Sequence, residues 1–231
     1  MYKRAIGICI IVLGILLAAG AVGLSVWNIK TDVVAGQTNE ELNEEVIEEI
    51  LKNKIVLEDD DTGTQDFLPG IYTPEYTPGG VNDDEPALNT LIVQGREYIG
   101  IMSIPILGLE LSVMNECDDK TVDKAPGRWC GSPYGEGGFV IGGHNYRSHL
   151  GKIDRLREGD LITFTDLRGN VFNYTVVGQE ILGANDGKSL RDKEWGLSLF
   201  TCTLAGNRRI VVRSLLKDST IINPPDAPTN Q

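Results

Sequence analysis

Hydrophobic and polar positions follow three successive patterns along the chain. Lys3 and Arg4 precede an uncharged run of 23 residues from Ala5 to Trp27. As a helix this run would span about 35 Å, enough to cross a hydrocarbon core of about 30 Å. It exceeds the usual apolar length of a signal peptide and ends in Trp27, an interfacial residue type, so an uncleaved anchor is expected. The small residues Ala18, Ala19 and Ala21 carry the alternative of a cleaved signal. With Lys3 and Arg4 held inside, everything after Trp27 would face the exterior.

In the second pattern, over residues 38–54, Leu42, Val46 and Ile50 recur at helical spacing among glutamates, and Thr38 with Glu41 forms a capping-box pair. A short amphipathic helix is expected, its apolar stripe docked on the body or on a partner, with a partly frayed stem helix as the alternative. Residues 58–91 then turn to Asp, Gly, Pro and Thr and predict an extended linker.

From Tyr98 onward β-type runs dominate: YIGIMSI, LGLELSV, FVIGG, LITFT, VFNYTVV, LSLFTC and RRIVVRSLL. About seven or eight short strands separated by turn residues make the chain mainly β and argue a closed barrel or a sandwich. Short helical pieces are expected near residues 118–124 and 148–156. The expected organisation is an anchor over residues 1–30, a stem with a short helix over 31–90, a folded body over 91–216 and a disordered tail over 217–231.

Charge divides the chain along the same lines. Residues 32–90 hold 16 acidic and two basic side chains, a net −14, whereas residues 91–231 sum to −1. The acidity belongs to the stem, where self-repulsion favours extension. No basic track for phosphates exists, so nucleic-acid binding is disfavoured. The body holds no acidic cluster that calls for calcium, and no metal or cofactor is expected. Outside the apolar run lie Cys117, Cys130 and Cys202. If Cys117 and Cys130 pair, Cys202 is left as a thiol; their spacing permits a bridge without requiring one.

Candidate chemistry centres on Cys202, at the end of an apolar strand. A cysteine thiol ordinarily titrates near about 8.5 and needs a neighbouring base or cation to act as a nucleophile at neutral pH. The chain has two histidines, His144 and His149, and two adjacent arginines, Arg208 and Arg209, follow the cysteine. Adjacent side chains of a strand point to opposite faces, so only one of those arginines can enter a site with Cys202. A buried core thiol is the competing reading of Cys202, and a non-catalytic anchored β-domain binding wall or surface-protein ligands is the competing reading of the whole.

GFVIGGHNYRSHLG at residues 138–151 and LSLFTCTLAGNRRIVVR at residues 197–213 both resemble the sortases, membrane-anchored cysteine transpeptidases of bacterial cell surfaces. Leu199, Thr201 and Cys202 match the family's T-L-x-T-C signature, with Ser198 in place of the first Thr. The resemblance implies an eight-stranded β-barrel with short helices. It makes His144 the catalytic histidine, Cys202 the nucleophile and Arg209, which precedes the apolar triplet Ile210, Val211 and Val212, the catalytic arginine. His149 is then structural.

It further implies cleavage of an LPxTG-like sorting signal through a thioester at Cys202, and transfer to an amine of a peptidoglycan precursor or a pilin lysine. Residues 182–195 correspond to the loop that shapes the signal pocket, which nominates Leu182, Leu190 and Trp195, with Thr201, for substrate binding. Only six residues separate Cys202 from Arg209, fewer than in many sortases, which narrows one wall of the groove. The implied location is the cell membrane, crossed once, with the catalytic domain outside.

Overall fold

The β-type runs predicted above close on themselves. The computed structural model describes residues 2–58, 71–72, 88–118, 122–135 and 137–222. In chain order the elements are α1 (Tyr2–Glu58), β1 (Ile71–Tyr72), β2 (Thr90–Val93), β3 (Arg96–Ile104), β4 (Leu109–Met114), β5 (Gly127–Cys130) and β6 (Phe139–Gly143). They continue as β7 (Leu161–Asp166), β8 (Val171–Gly183), α2 (Gly187–Leu190), β9 (Leu197–Cys202) and β10 (Arg208–Thr220), with one-turn 3-10 helices at Pro105–Leu107 and Ile153–Arg155. Among the described residues the strands run in the order β1-β2-β3-β4-β5-β6-β9-β10-β8-β7, and β3 also pairs with β7. That last pairing closes eight strands, β3 to β10, into a ring and leaves the β1–β2 pair as an appendage on β3.

Alternation decides what fills the ring. Phe139 and Ile141 of β6, Leu197 and Leu199 of β9, Val212 of β10, and Phe164, Phe172 and Tyr174 of β7 and β8 pack as one buried interior. On the opposite face of β6, β9 and β10, Val140, Phe200 and Val211 form a second apolar layer with Cys130, Leu182 and Leu190. This outer layer is the floor beneath the candidate site.

Two strands of the body carry no readable alternation. β5 is only Gly-Arg-Trp-Cys, and β2 is defined by its turn, where Gln94 at φ 49° and Gly95 at φ 75° link Val93 to Arg96. Two adjacent positive φ values suit the primed turns of tight hairpins. Gln94 occupies a position where Asn or Gly is usual, so the hairpin lacks its common signature.

A helix and a strand run further than expected at the two ends of the body. The helix expected to start at Thr38 does not start there: α1 runs unbroken from Tyr2 to Glu58, and the Thr38 hydroxyl donates to the Val34 carbonyl within it at 3.0 Å. The capping box therefore lies mid-helix, because nothing between Trp27 and Thr38 breaks helical hydrogen bonding. At the other end β10 extends through Thr220, opposite Val171, so residues 217–220 belong to the sheet and not to a tail. The linker expected over residues 58–91 lies mostly outside the described residues, as does the tail beyond residue 222.

The apolar stripe docks on the body. Leu42, Val46 and Ile50 are buried against Val93, Tyr98, Ile101, Met114 and Leu167. Beside them α1 covers the exposed backbone of β4. The Asn43 amide donates to the Glu110 carbonyl at 2.6 Å and accepts from the Ser112 amide at 2.8 Å, and Asn39 donates to the same carbonyl at 2.8 Å. One side-chain amide thus satisfies the strand edge as a neighbouring strand would. N-terminal to this dock the apolar residues from Leu13 to Trp27 whose side chains are described stand exposed, and α1 is long and apolar enough to cross a membrane.

Candidate active site

Register assembles the candidate site. β6 and β9 run parallel with Gly143 opposite Thr201, so the next residues, His144 and Cys202, leave the ends of adjacent strands at the same level. β10 runs antiparallel to β9 with Arg209 directly opposite Cys202. Directly opposed residues of an antiparallel pair share a face, with Cβ atoms about 5 Å apart. Residues distant in primary order, 144, 202 and 209, therefore meet at one rim of the barrel. Cys202 is exposed, and His144 and Arg209 are half-buried.

The turn between β9 and β10 is tight. The Thr203 amide donates to the Arg208 carbonyl at 2.9 Å, and the Gly206 amide to Thr203 at 2.8 Å, with Gly206 at φ 72°. Arg208 is exposed opposite Gly183, whereas Arg209 lies opposite Leu182, donates from Nη1 to the Ala184 carbonyl and stacks 5.4 Å above the Phe200 ring. Among the described residues its Nε is buried without a hydrogen-bond partner. The guanidinium is thus steered by backbone and ring, with donor capacity in reserve.

Phe200 ties the floor together. It lies two residues before Cys202 and so on the same face. A Cβ on Gly142 would come within 2.3 Å of the Phe200 ring and 2.8 Å of the Cys117 sulfur, so only glycine fits beside His144's strand. Trp129 meets the same ring edge-on at 5.7 Å. Among the described residues no disulfide joins Cys117 to Cys130; both sulfurs contribute to this apolar layer.

Of the four residues expected to bind substrate, two lie in this layer. Leu182 and Leu190 are buried against Phe200 and Val211. Thr201 faces away: it is buried on the inner side, and its hydroxyl donates to the Gly143 carbonyl at 2.9 Å, tying β6 to β9 beneath the His144–Cys202 pair. Trp195 precedes β9 at the end remote from Cys202, about 20 Å away along an extended strand, and its carbonyl accepts from the Gly138 amide at 2.8 Å. The structure does not bring Trp195 to the rim.

His149 is fully buried and stacks behind the site, its ring 5.5 Å from that of Tyr146, which lies 5.0 Å from His144. Burial first, and then the charge of His144, pushes its titration down to about 4. A histidine kept neutral in this way packs and does not shuttle protons near neutral pH. Among the described residues no group of three or more His, Cys, Asp or Glu side chains is placed to hold a metal ion.

Sequence reasoning missed Phe200 and Arg213. Phe200 was findable from period two, counted back from Cys202. Arg213, also on the Arg209 face, is 4% exposed and donates to Glu180 at 2.6 Å, Ser198 at 2.8 Å and the Ser189 and Leu190 carbonyls at 2.6 and 3.4 Å. It staples the end of α2, and with it Leu190, to the sheet.

The sequence profile described as "Sortase domain" matches residues 102–217, half of the chain. The chain belongs to the sortase family. Sortases are cell-surface proteins and generally cysteine transpeptidases, and the eight-stranded ring is the sortase fold. One solved structure, at a TM-score above 0.5, agrees on the fold. The chain is similar to a sortase D5 transpeptidase of Clostridium perfringens at 20% identity and a TM-score of 0.51, covering 80% of this chain and 99% of that one. Sortase A of Corynebacterium diphtheriae matches at 26% identity and a TM-score of 0.49 over 56% of this chain, which spans 65% of the length of that structure. Sortase C of C. perfringens SM101 matches at 18% identity and a TM-score of 0.48, covering 77% and 90% of the two chains. A search of curated proteins finds no match.

Proposed function

We propose that this sortase is a cell-surface cysteine transpeptidase that cleaves an LPxTG-like sorting signal through a thioester at Cys202. It passes the acyl group to an amine of a cell-wall precursor or a pilin lysine. The observation that carries the reading is the register that sets Cys202 beside His144 on one strand and opposite Arg209 on the other. The Cys202 sulfur, as thiolate, attacks the signal's scissile carbonyl, and the carbonyl's electron pair moves to oxygen. Arg209, whose guanidinium commits Nη1 to the Ala184 carbonyl and keeps further donors, stabilises that oxyanion. His144 as imidazolium gives its proton to the departing amine as the carbon–nitrogen bond breaks. The incoming amine then attacks the thioester and loses its proton to His144, and Cys202 leaves as thiolate.

The apolar layer of Leu182, Leu190, Phe200 and Val211 is the floor over which the signal's apolar side chains lie. The apolar half of α1 anchors the enzyme in the membrane with the barrel outside, Trp27 lying at the interface. The test is mass spectrometry of the full chain with candidate signal peptides. A covalent adduct on Cys202, absent in Cys202→Ala and His144→Ala and released by amines, is expected. A Cys202 inert to every signal variant and to a thiol-directed peptide analogue would overturn the reading.

A further inference from the structure

α1 touches the body in a second place, separate from its apolar dock. One end of the Asp32 carboxylate accepts from the Ser148 amide at 3.1 Å and from its hydroxyl at 3.2 Å, and the Asp32 carbonyl accepts from the same hydroxyl at 3.1 Å. One turn on, a Cβ at Gly36 would sit 3.5 Å from the Ser148 Cβ, so the helix lies directly against this residue. Ser148 belongs to the turn that follows His144.

That turn is a closed unit. Tyr146's carbonyl accepts from the His149 amide at 3.0 Å and the Gly151 amide at 2.8 Å. Gly151 lies so close to the Asn145 backbone that a Cβ would come within 2.2 Å of the Asn145 oxygen. Leu150, fully buried, plugs it into the core beside Gly143. Its open side, from Asn145 to Ser148, is held from outside by Asp32, and Tyr146 on that side lies against His144 at 5.0 Å.

We propose that Asp32 is a positioning residue: through Ser148 it fixes the turn that sets the place of His144, so the helix that carries the apolar run is part of the active site's framework. The inference rests on the transpeptidase reading for its kinetic consequence and on contact geometry for its structural one. Asp32 lies five residues beyond Trp27, about 8 Å along the helix axis, so the hold acts just above the end of the apolar run. Its removal leaves the fold intact, because Leu42, Val46, Ile50, Asn39 and Asn43 still dock α1 on the sheet.

Two measurements on the full chain in detergent or bilayer discs test it. In single-turnover acylation by a sorting-signal peptide, Asp32→Ala and Ser148→Ala lower the maximal rate by about 10- to 100-fold, the scale set by small misplacements of a reacting group, with the half-saturating peptide concentration unchanged. Asp32→Asn, which keeps the accepting oxygen, restores the rate. The second readout needs no activity: diethylpyrocarbonate modifies the accessible His144 several-fold faster in both alanine variants and at the wild-type rate in Asp32→Asn. Equal modification rates in all four proteins would overturn the inference whatever the peptide does. A wild type that shows these differences yet forms no adduct with any peptide would sink the transpeptidase reading alone.

Discussion

The rim that carries His144, Cys202 and Arg209 and the loop between β8 and β9, residues 184–196, are built by different means. At the rim main-chain pairing on β6, β9 and β10 sets the level and face of each side chain, and for His144 the turn that follows β6 completes the placement. In the loop, main-chain pairing stops and side chains take over. Asp186 caps α2 by accepting from the Ser189 amide at 3.4 Å and from its hydroxyl at 2.7 Å, and Arg213 donates to the carbonyls at its other end. Register is shared among many residues and survives the loss of any one side chain. A staple of this kind depends on one guanidinium. Changes at the rim should therefore alter chemistry with the fold intact, and changes in the loop should alter stability and substrate affinity together.

The largest expected effect breaks the rim. Arg209→Ala should lower the acylation rate on the order of 10²–10³, the usual cost of losing an oxyanion donor. Its unfolding temperature should barely move, since the Arg209 side chain makes one hydrogen bond, to Ala184, at the half-buried surface. Single-turnover kinetics beside thermal unfolding would measure both. A large loss of stability would mean that Arg209 holds the groove together as Arg213 does.

The next effect lies under the rim and is read through pH. His149 titrates at about 4 in the folded protein against 6.5 ordinarily. Below pH 6.5 the unfolded chain takes up a proton that the folded chain refuses. Stability from this group is thus complete above about 6.5 and lost as pH falls toward about 4, by up to about 3 kcal/mol. The carboxylates of Asp32 and Asp123 oppose the shift, and burial outweighs them. Denaturant unfolding across pH 4–7 should show this acid limb, and His149→Leu should flatten it.

Breaking the staple comes third. Arg213→Met should cost about 2 kcal/mol, the range for hydrogen bonds to a charged group. The cost stays below that of a fully buried ion pair because Glu180, 42% exposed, can turn to water. Leu190 would lose its fixed position in the floor, so the half-saturating peptide concentration should rise several-fold while the maximal rate holds. A fall in rate at unchanged affinity would contradict the division between rim and loop.

The same contrast governs what could be read from the chain. The bounds of β9 were legible from the β-type run LSLFTC, and strand geometry alone puts Phe200 and Cys202 on one face. That Arg209 and not Arg208 faces the cysteine rests on a register that no local pattern specifies; the family motif supplied it. The unbroken helix through Thr38 was hidden because a capping box records only a local preference, and continuous helical hydrogen bonding overrides it here. Contacts over long sequence separations, such as Asp32 with Ser148, Asn43 with Ser112 and Arg213 with Ser189, leave no periodic trace. They depend on where one hydroxyl or amide falls after the sheet has closed.

Thr201 offers the smallest effect and the finest test of the comparison. Its hydroxyl bonds the Gly143 carbonyl from the inner side, directly behind the level at which His144 and Cys202 emerge. Were register alone to set the rim, Thr201→Val, which keeps the shape and removes one buried hydrogen bond, should cost about 1 kcal/mol of stability and leave the acylation rate within about twofold, since the five paired positions of β6 and β9 still hold the strands level. A drop of tenfold or more at unchanged peptide affinity would mean that this single bond trims the spacing between imidazole and sulfur. The rim would then share the loop's dependence on individual side chains.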